Sequence, residues 1–132
     1  MRVCLDTNVL VRYLVQDDPE QSAAAESLFD TFTAEAPGFI STVSIVELVW
    51  VLQSCYETGR HDIQSVMEDL LRTRELVVER AELIWQSLRI FTKGNADFAD
   101  CVIERCGQAA GCDHTITFDQ NAAKSAGMKL LP

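Results

Sequence analysis

Positive charge is scarce in this chain. Its 132 residues hold 11 Lys and Arg against 20 Asp and Glu, a formal net charge of −9. A general electrostatic binder of nucleic acid presents a basic face, so that class is excluded. A nuclease is not, because clustered acids can hold metal ions that reverse the local sign. The imbalance also makes a basic partner segment a natural binder. Long apolar runs are missing as well: none approaches the roughly 18 residues of a membrane span. The N-terminal runs are short and broken by Asp6, Asn8 and Arg12, unlike a signal peptide. A cytoplasmic protein with no membrane partner is expected. The five cysteines form no C-x-x-C, and neither His61 nor His114 stands at zinc-like spacing from them. Buried reduced thiols are expected instead, Cys4 among them because it lies in an apolar run. No repeat, low-complexity stretch or linker interrupts the chain. Its length and its 48% hydrophobic content suit one domain, 1–132, with its own core.

What is present is an alternation of short apolar runs and helical patterns. Val3-Cys4-Leu5 suits a strand buried on both faces and stops at Asp6-Thr7-Asn8, where a helical pattern begins. Asp18-Pro19-Glu20 starts a helix to about residue 32, with Asp as N-cap, Pro at N1 and an acid in the first turn. Phe39-Ile40-Ser41-Thr42 reads as a second strand. Ser44-Ile45-Val46-Glu47 then opens a helix that Gly59 ends. Ile45, Leu48, Val49 and Leu52 share one face of it, while Val46, Trp50 and Val51 make much of the other apolar too. Such a helix is buried on several sides, which in a short chain suggests a subunit interface. A helix over 61–72, a strand at Leu76-Val77-Val78 and a helix over 81–91 follow. After the loop Lys93-Gly94-Asn95 comes a helix from 97 to about 110, closed by Gly111. His114-Thr115-Ile116-Thr117 is a fourth strand, 121–126 a short helix ended by Gly127, and Met128-Lys129-Leu130-Leu131 a last strand. The alternation predicts an α/β fold with a mainly parallel sheet covered on both faces.

Carboxylates recur at one kind of place. Asp6 follows strand one, Glu47 opens the helix after strand two, Asp97 and Asp100 open the helix before strand four, and Asp119 follows strand four. A chain that winds from strand one to three and then crosses back places its switch point between strands one and four, where ligands bind. Each acid also has a purely structural explanation. Asp6 and Asp119 suit N-caps, Ser44-x-x-Glu47 matches a capping box, and Asp97 and Asp100 suit a helix dipole. Capping does not explain why all of them fall on one sheet edge. Carboxylates packed together repel unless cations neutralise them, and hard oxygen ligands in that number suit Mg²⁺ or Mn²⁺. Such an ion assists in-line attack on a phosphodiester.

Leu5-Asp6-Thr7-Asn8-Val9-Leu10, Ser44-Ile45-Val46-Glu47-Leu48, Asn95-Ala96-Asp97-Phe98-Ala99-Asp100 and Thr115-Ile116-Thr117-Phe118-Asp119 resemble, in order and spacing, the successive motifs of PIN domains. The resemblance is closest to the VapC-type ribonuclease toxins of bacterial toxin–antitoxin pairs and covers essentially the whole chain. It implies a three-layer α/β/α sandwich with a mainly parallel five-stranded sheet, strand order 3-2-1-4-5. It further implies Mg²⁺-dependent endoribonuclease activity, with Mn²⁺ as a substitute, on structured RNA such as tRNA or rRNA. A homodimer and a cognate VapB-like antitoxin with a basic C-terminal segment come with it. Asp6, Glu47, Asp100 and Asp119 match the family's catalytic and metal-binding acids. Asp97, one helical turn before Asp100, is a further candidate metal ligand. Asn8 and Thr117 match positions that support the acids by hydrogen bonds. Glu104-Arg105-Cys106 departs from relatives that carry small residues there. For RNA contacts, Arg12 lies near the site in sequence, Lys93 precedes the helix of Asp97, and Lys124 lies in the last helix.

Rival chemistries fit less well. An aspartyl-nucleophile phosphohydrolase wants a second acid two residues after the first, where this chain has Asn8. A phospho-acceptor receiver wants paired acids in its first loop and a lysine near its end. A non-catalytic metal- or partner-binding module and a housekeeping RNA-processing nuclease stay open.

Overall fold

The computed structural model describes residues 2–132, and the chain falls into two compact units, Met1–Glu79 and Arg80–Pro132. Both are α/β with parallel strands. The first unit runs β1 (Val3–Cys4), α1 (Thr7–Val15), α2 (Pro19–Phe29), β2 (Gly38–Ile40), α3 (Thr42–Tyr56), α4 (Arg60–Arg72) and β3 (Leu76–Val78). Its three strands are ordered β1-β2-β3, all parallel, with Val3 opposite Gly38 and Phe39 opposite Val77. The second unit runs α5 (Ala81–Lys93), α6 (Phe98–Ala109), β4 (Ile116–Thr117), α7 (Gln120–Ser125) and β5 (Lys129–Leu130). Its two strands are parallel, with Thr117 opposite Leu130. These ladders supply the 3-2-1 and the 4-5 portions of the expected strand order.

Local chemistry explains the helix starts. Asp18 accepts from the backbone N–H of Gln21 at 3.0 Å and Pro19 occupies the first helical position, as the Asp-Pro-Glu sequence demands. At α3 the structure corrects the expectation from sequence. Ser41, not Ser44, is the N-cap: its hydroxyl accepts from the Ser44 N–H at 3.1 Å, and the helix starts at Thr42, the residue expected to end strand β2. Glu47 therefore lies a turn deeper than a capping-box acid and is free of that duty. Gly59 does not end α3 either. Glu57 takes the left-handed position at φ 52°, and Gly59 is the N-cap of α4.

Burial follows the apolar stripes of the sequence, with two exceptions. In the first unit Ile45, Leu48, Val49, Ile63 and Met67 are fully enclosed, but the second apolar face of α3 is not: Val43 is 75% exposed and Trp50 61%. The cysteine expectation holds only for Cys101; Cys4, Cys55 and Cys112 are exposed, and all five are free thiols. Within its unit β1 is an edge strand of two residues, too short and too open to enclose Cys4. One close approach is sequence-encoded. A Cβ on Gly38 would meet the Phe32 ring at 2.6 Å, so only glycine lets that ring lie on β2. In the second unit Phe91 and Phe98 are buried and meet edge to face, with centroids 5.6 Å apart, fixing α5 on α6. Among the described residues no helix is long and apolar enough to cross a membrane.

Candidate functional site

In the first unit, the end of β1 and the flank of α3 frame a cavity of about 350 Å³. It brings together Asp6, Asn8, Arg12 and Glu47, over an apolar lining that includes Val11 and Val51. Asp6 is the N-cap of α1, but it spends only Oδ1, which accepts from the Thr7 N–H at 2.8 Å. Glu47 is exposed on α3. That helix is anchored at its start, where the Thr42 N–H donates to Glu79 Oε1 at 2.8 Å. Arg12 is engaged on three sides. Its Nε donates to Gln21 Oε1 at 2.7 Å, and a terminal nitrogen reaches Asp17 at 3.0 Å and the Tyr56 hydroxyl at 3.4 Å. The Tyr56 hydroxyl in turn donates to Asp17 Oδ2 at 2.9 Å and, as the largest cause, holds that carboxyl below its usual range.

Two residues of this cavity are absent from the sequence-based expectation. Thr7 is buried, and its hydroxyl finds no hydrogen-bond partner, an expensive state for a buried polar atom. Its position between Asp6 and Asn8 was the available signal. Tyr56 had none, because nothing local links residue 56 to residue 12.

In the second unit the acids crowd. Asp97 is the N-cap residue of α6 yet makes no side-chain cap bond, and Asp100 follows in the first turn. The Asp100 carboxyl is pushed above its usual range, first by burial and then by the charges of Asp97 and Asp119. Asp119 caps α7: its Oδ1 accepts from the N–H groups of Asn121 at 2.8 Å and Ala122 at 3.1 Å. Thr117 holds that turn in place, its hydroxyl accepting from the Asp119 N–H at 2.9 Å. Asn121 also donates to the Asn95 carbonyl at 3.1 Å, tying the start of α7 to the loop before Asp97. Lys93 ends α5 and Lys124 lies in the last turn of α7.

The capping explanation is thus correct for Asp6 and Asp119 and fails for Glu47, while Asp97 and Asp100 stand at the start of α6, where the helix dipole favours acids. Even the two caps keep one carboxylate oxygen clear of their cap bonds. The donor set is all hard oxygen, and a cation would relieve the repulsion that raises Asp100, so its chemistry fits Mg²⁺ or Mn²⁺. Among the described residues, no three of His, Cys, Asp and Glu stand at metal-holding spacing.

The family model for the PIN domain matches residues 3–127, running through both units. A VapC ribonuclease from Aquifex aeolicus (strain VF5) is 26% identical over 121 residues, covering 91% of this chain and 89% of that protein.

Proposed function

The chain belongs to the PIN domain family, and from that premise we propose that it is a Mg²⁺-dependent endoribonuclease, the toxin of a toxin–antitoxin pair. Its substrate is structured RNA of the tRNA or rRNA class. The observation that carries this reading is the gathering of Asp97 and Asp100 at the start of α6 with Asp119 near enough to act on Asp100, whose carboxyl is raised first by burial and then by these two charges. A cation would favour the charged form of such a group. The likeness to a VapC ribonuclease supports the toxin assignment.

In this reading residues 1–132 act as one PIN-like domain, a three-layer sandwich with the family's strand order 3-2-1-4-5. The family match runs continuously through both units. Asp6, Glu47, Asp100 and Asp119 would hold the metal, with Asp97 beside Asp100. A divalent ion there supplies charge neutralisation at the phosphodiester and lowers the pKa of water. The chain's own residues do the rest. An Oδ of Asp100 takes the proton of the attacking water. The water oxygen bonds to phosphorus in line as the bond to the 3′-oxygen breaks, and that oxygen takes a proton from solvent. The products carry 5′-phosphate and 3′-hydroxyl ends. Thr117 keeps Asp119 in place, and Asn8 supports Asp6.

The stripe of exposed Val43 and Trp50 with half-buried Val46 on α3 is the surface on which a second copy docks, giving a homodimer. The antitoxin is a VapB-like protein whose basic C-terminal segment is drawn to the acidic first unit. Its setting is the cytoplasm. The test is cleavage of total RNA by purified protein. Mg²⁺-dependent cutting that EDTA stops and that Asp119→Asn abolishes is expected, whereas cutting that persists in EDTA contradicts the reading. The spacing of the acids favours one second reading, a non-catalytic module that keeps them as a partner site.

A further inference from the structure

The acids address how a phosphodiester is cut, not what holds it, and a chain of net charge −9 repels RNA at long range. The charge is unevenly spread. Met1–Glu79 carries five basic and fourteen acidic residues, whereas Arg80–Pro132 carries six of each, so all of the excess lies in the first unit. The second unit also gathers its cations. Arg89 and Lys93 are four residues apart on α5 and share a helix face. Arg105 of α6 lines the same cleft of about 250 Å³, together with Gln86 and Ile90, and no acid lines it.

Arg105 is paired with Glu104, whose Oε1 accepts from Arg105 Nε at 2.7 Å and orients the guanidinium, leaving its terminal nitrogens for a ligand. Lys93 can offset the dipole at the end of α5, but Arg89 and Lys93 together bring two further positive charges to the same cleft, which calls for a counter-charge. Among the described residues Arg89 and Lys93 enter no ion pair. The cleft suits a nucleic acid strand in its chemistry: it joins three cations to partly apolar walls, with Gln86 and Ile90 beside them.

We propose that Arg89, Lys93 and Arg105 form a phosphate clamp that holds the RNA strand while it is cut; the clause about cutting rests on the nuclease reading. The clamp meets phosphates rather than bases, so it supplies affinity and register without sequence preference. Guanidinium forks add geometry that a lysine alone lacks.

The test titrates a fluorescein-labelled oligouridylate with purified protein in EDTA, over a range of salt. Each clamp charge removed should lower the slope of log affinity against log salt by about 0.7, so Arg89→Gln with Lys93→Gln lowers it by about 1.4. Lys93→Arg should keep the slope, and so should Arg74→Gln, an exposed arginine of the first unit. In Mg²⁺, Arg105→Gln should raise KM for cleavage while kcat holds. Slopes equal to the wild type's in all clamp variants overturn the proposal, as does a wild type that fails to bind at the lowest salt. A lowered melting temperature with an unchanged slope also overturns it, assigning these residues to helix ends alone. Binding with the expected slopes by a protein that cuts no RNA sinks the nuclease reading and leaves the clamp. Unchanged slopes in a protein that cuts RNA sink the clamp alone.

Discussion

The two units hold candidate acids in opposite ways. The first unit carries the whole negative excess, yet Asp6 is a cap on α1 and Glu47 an exposed residue on α3. The second unit is neutral in sum, and there burial, and after it the charges of Asp97 and Asp119, raise the Asp100 carboxyl. Net charge is a property of surfaces, averaged and screened by water. A site is made by local crowding together with partial burial, and it can arise in a unit with no excess at all.

The contrast is most exposed to test at the chemistry. Asp6→Asn in the first unit and Asp119→Asn in the second should each lower RNA cleavage by about 10²–10⁴-fold, measured on gels with Mg²⁺. A loss confined to one unit's acids would divide the proposed site. Next comes cohesion. Phe98→Ala empties the edge-to-face contact with Phe91 and should cost about 3–5 kcal/mol. In a single-domain protein the whole melting curve moves in one step. A second, unshifted transition belonging to the first unit would mean that the units fold separately.

A smaller effect isolates the electrostatic side. A carboxyl raised in the folded chain binds its proton more tightly there than in the unfolded chain. Its contribution is therefore fully present below the ordinary carboxylate pKa and is lost as pH rises through the raised value. Asp100→Asn should melt higher than wild type at neutral pH, with the gain vanishing in acid below the ordinary carboxylate range. The same variant should lose cleavage, trading function for stability. No gain at neutral pH would deny the crowding. Smallest is Glu57→Gly at the end of α3. It relieves a left-handed backbone and should add about 1 kcal/mol in chemical denaturation.

Much of the fold was legible because apolar spacing and punctuation coincide. Asp18-Pro19 starts α2, Gly111 and Gly127 follow α6 and α7 with positive φ, and Asp6, Asp97, Asp100 and Asp119 fall at strand and helix ends as expected, Glu47 alone lying deeper in its helix. The departures have a common cause. Ser41 and Ser44 are equally good caps by composition, and the choice depends on where β2 releases the chain, which its pairing with β3 decides. The second face of α3 and the Cys4 thiol look buried by their own apolarity, but burial depends on what lies opposite. The Arg12–Asp17–Tyr56 network joins two helices through side chains alone, which no periodicity announces.

Whether the proposed acids hold a divalent ion is decided by thermal unfolding with and without millimolar Mg²⁺ or Mn²⁺, run on wild type, Asp6→Asn and Asp100→Asn. A ligand bound only by the folded state stabilises it by about 2.7 kcal/mol at a hundredfold excess over its dissociation constant. The expected outcome is a rise in melting temperature for wild type that shrinks in both variants. A rise that survives unchanged in either variant, or no rise in wild type, would contradict a metal site built from these acids.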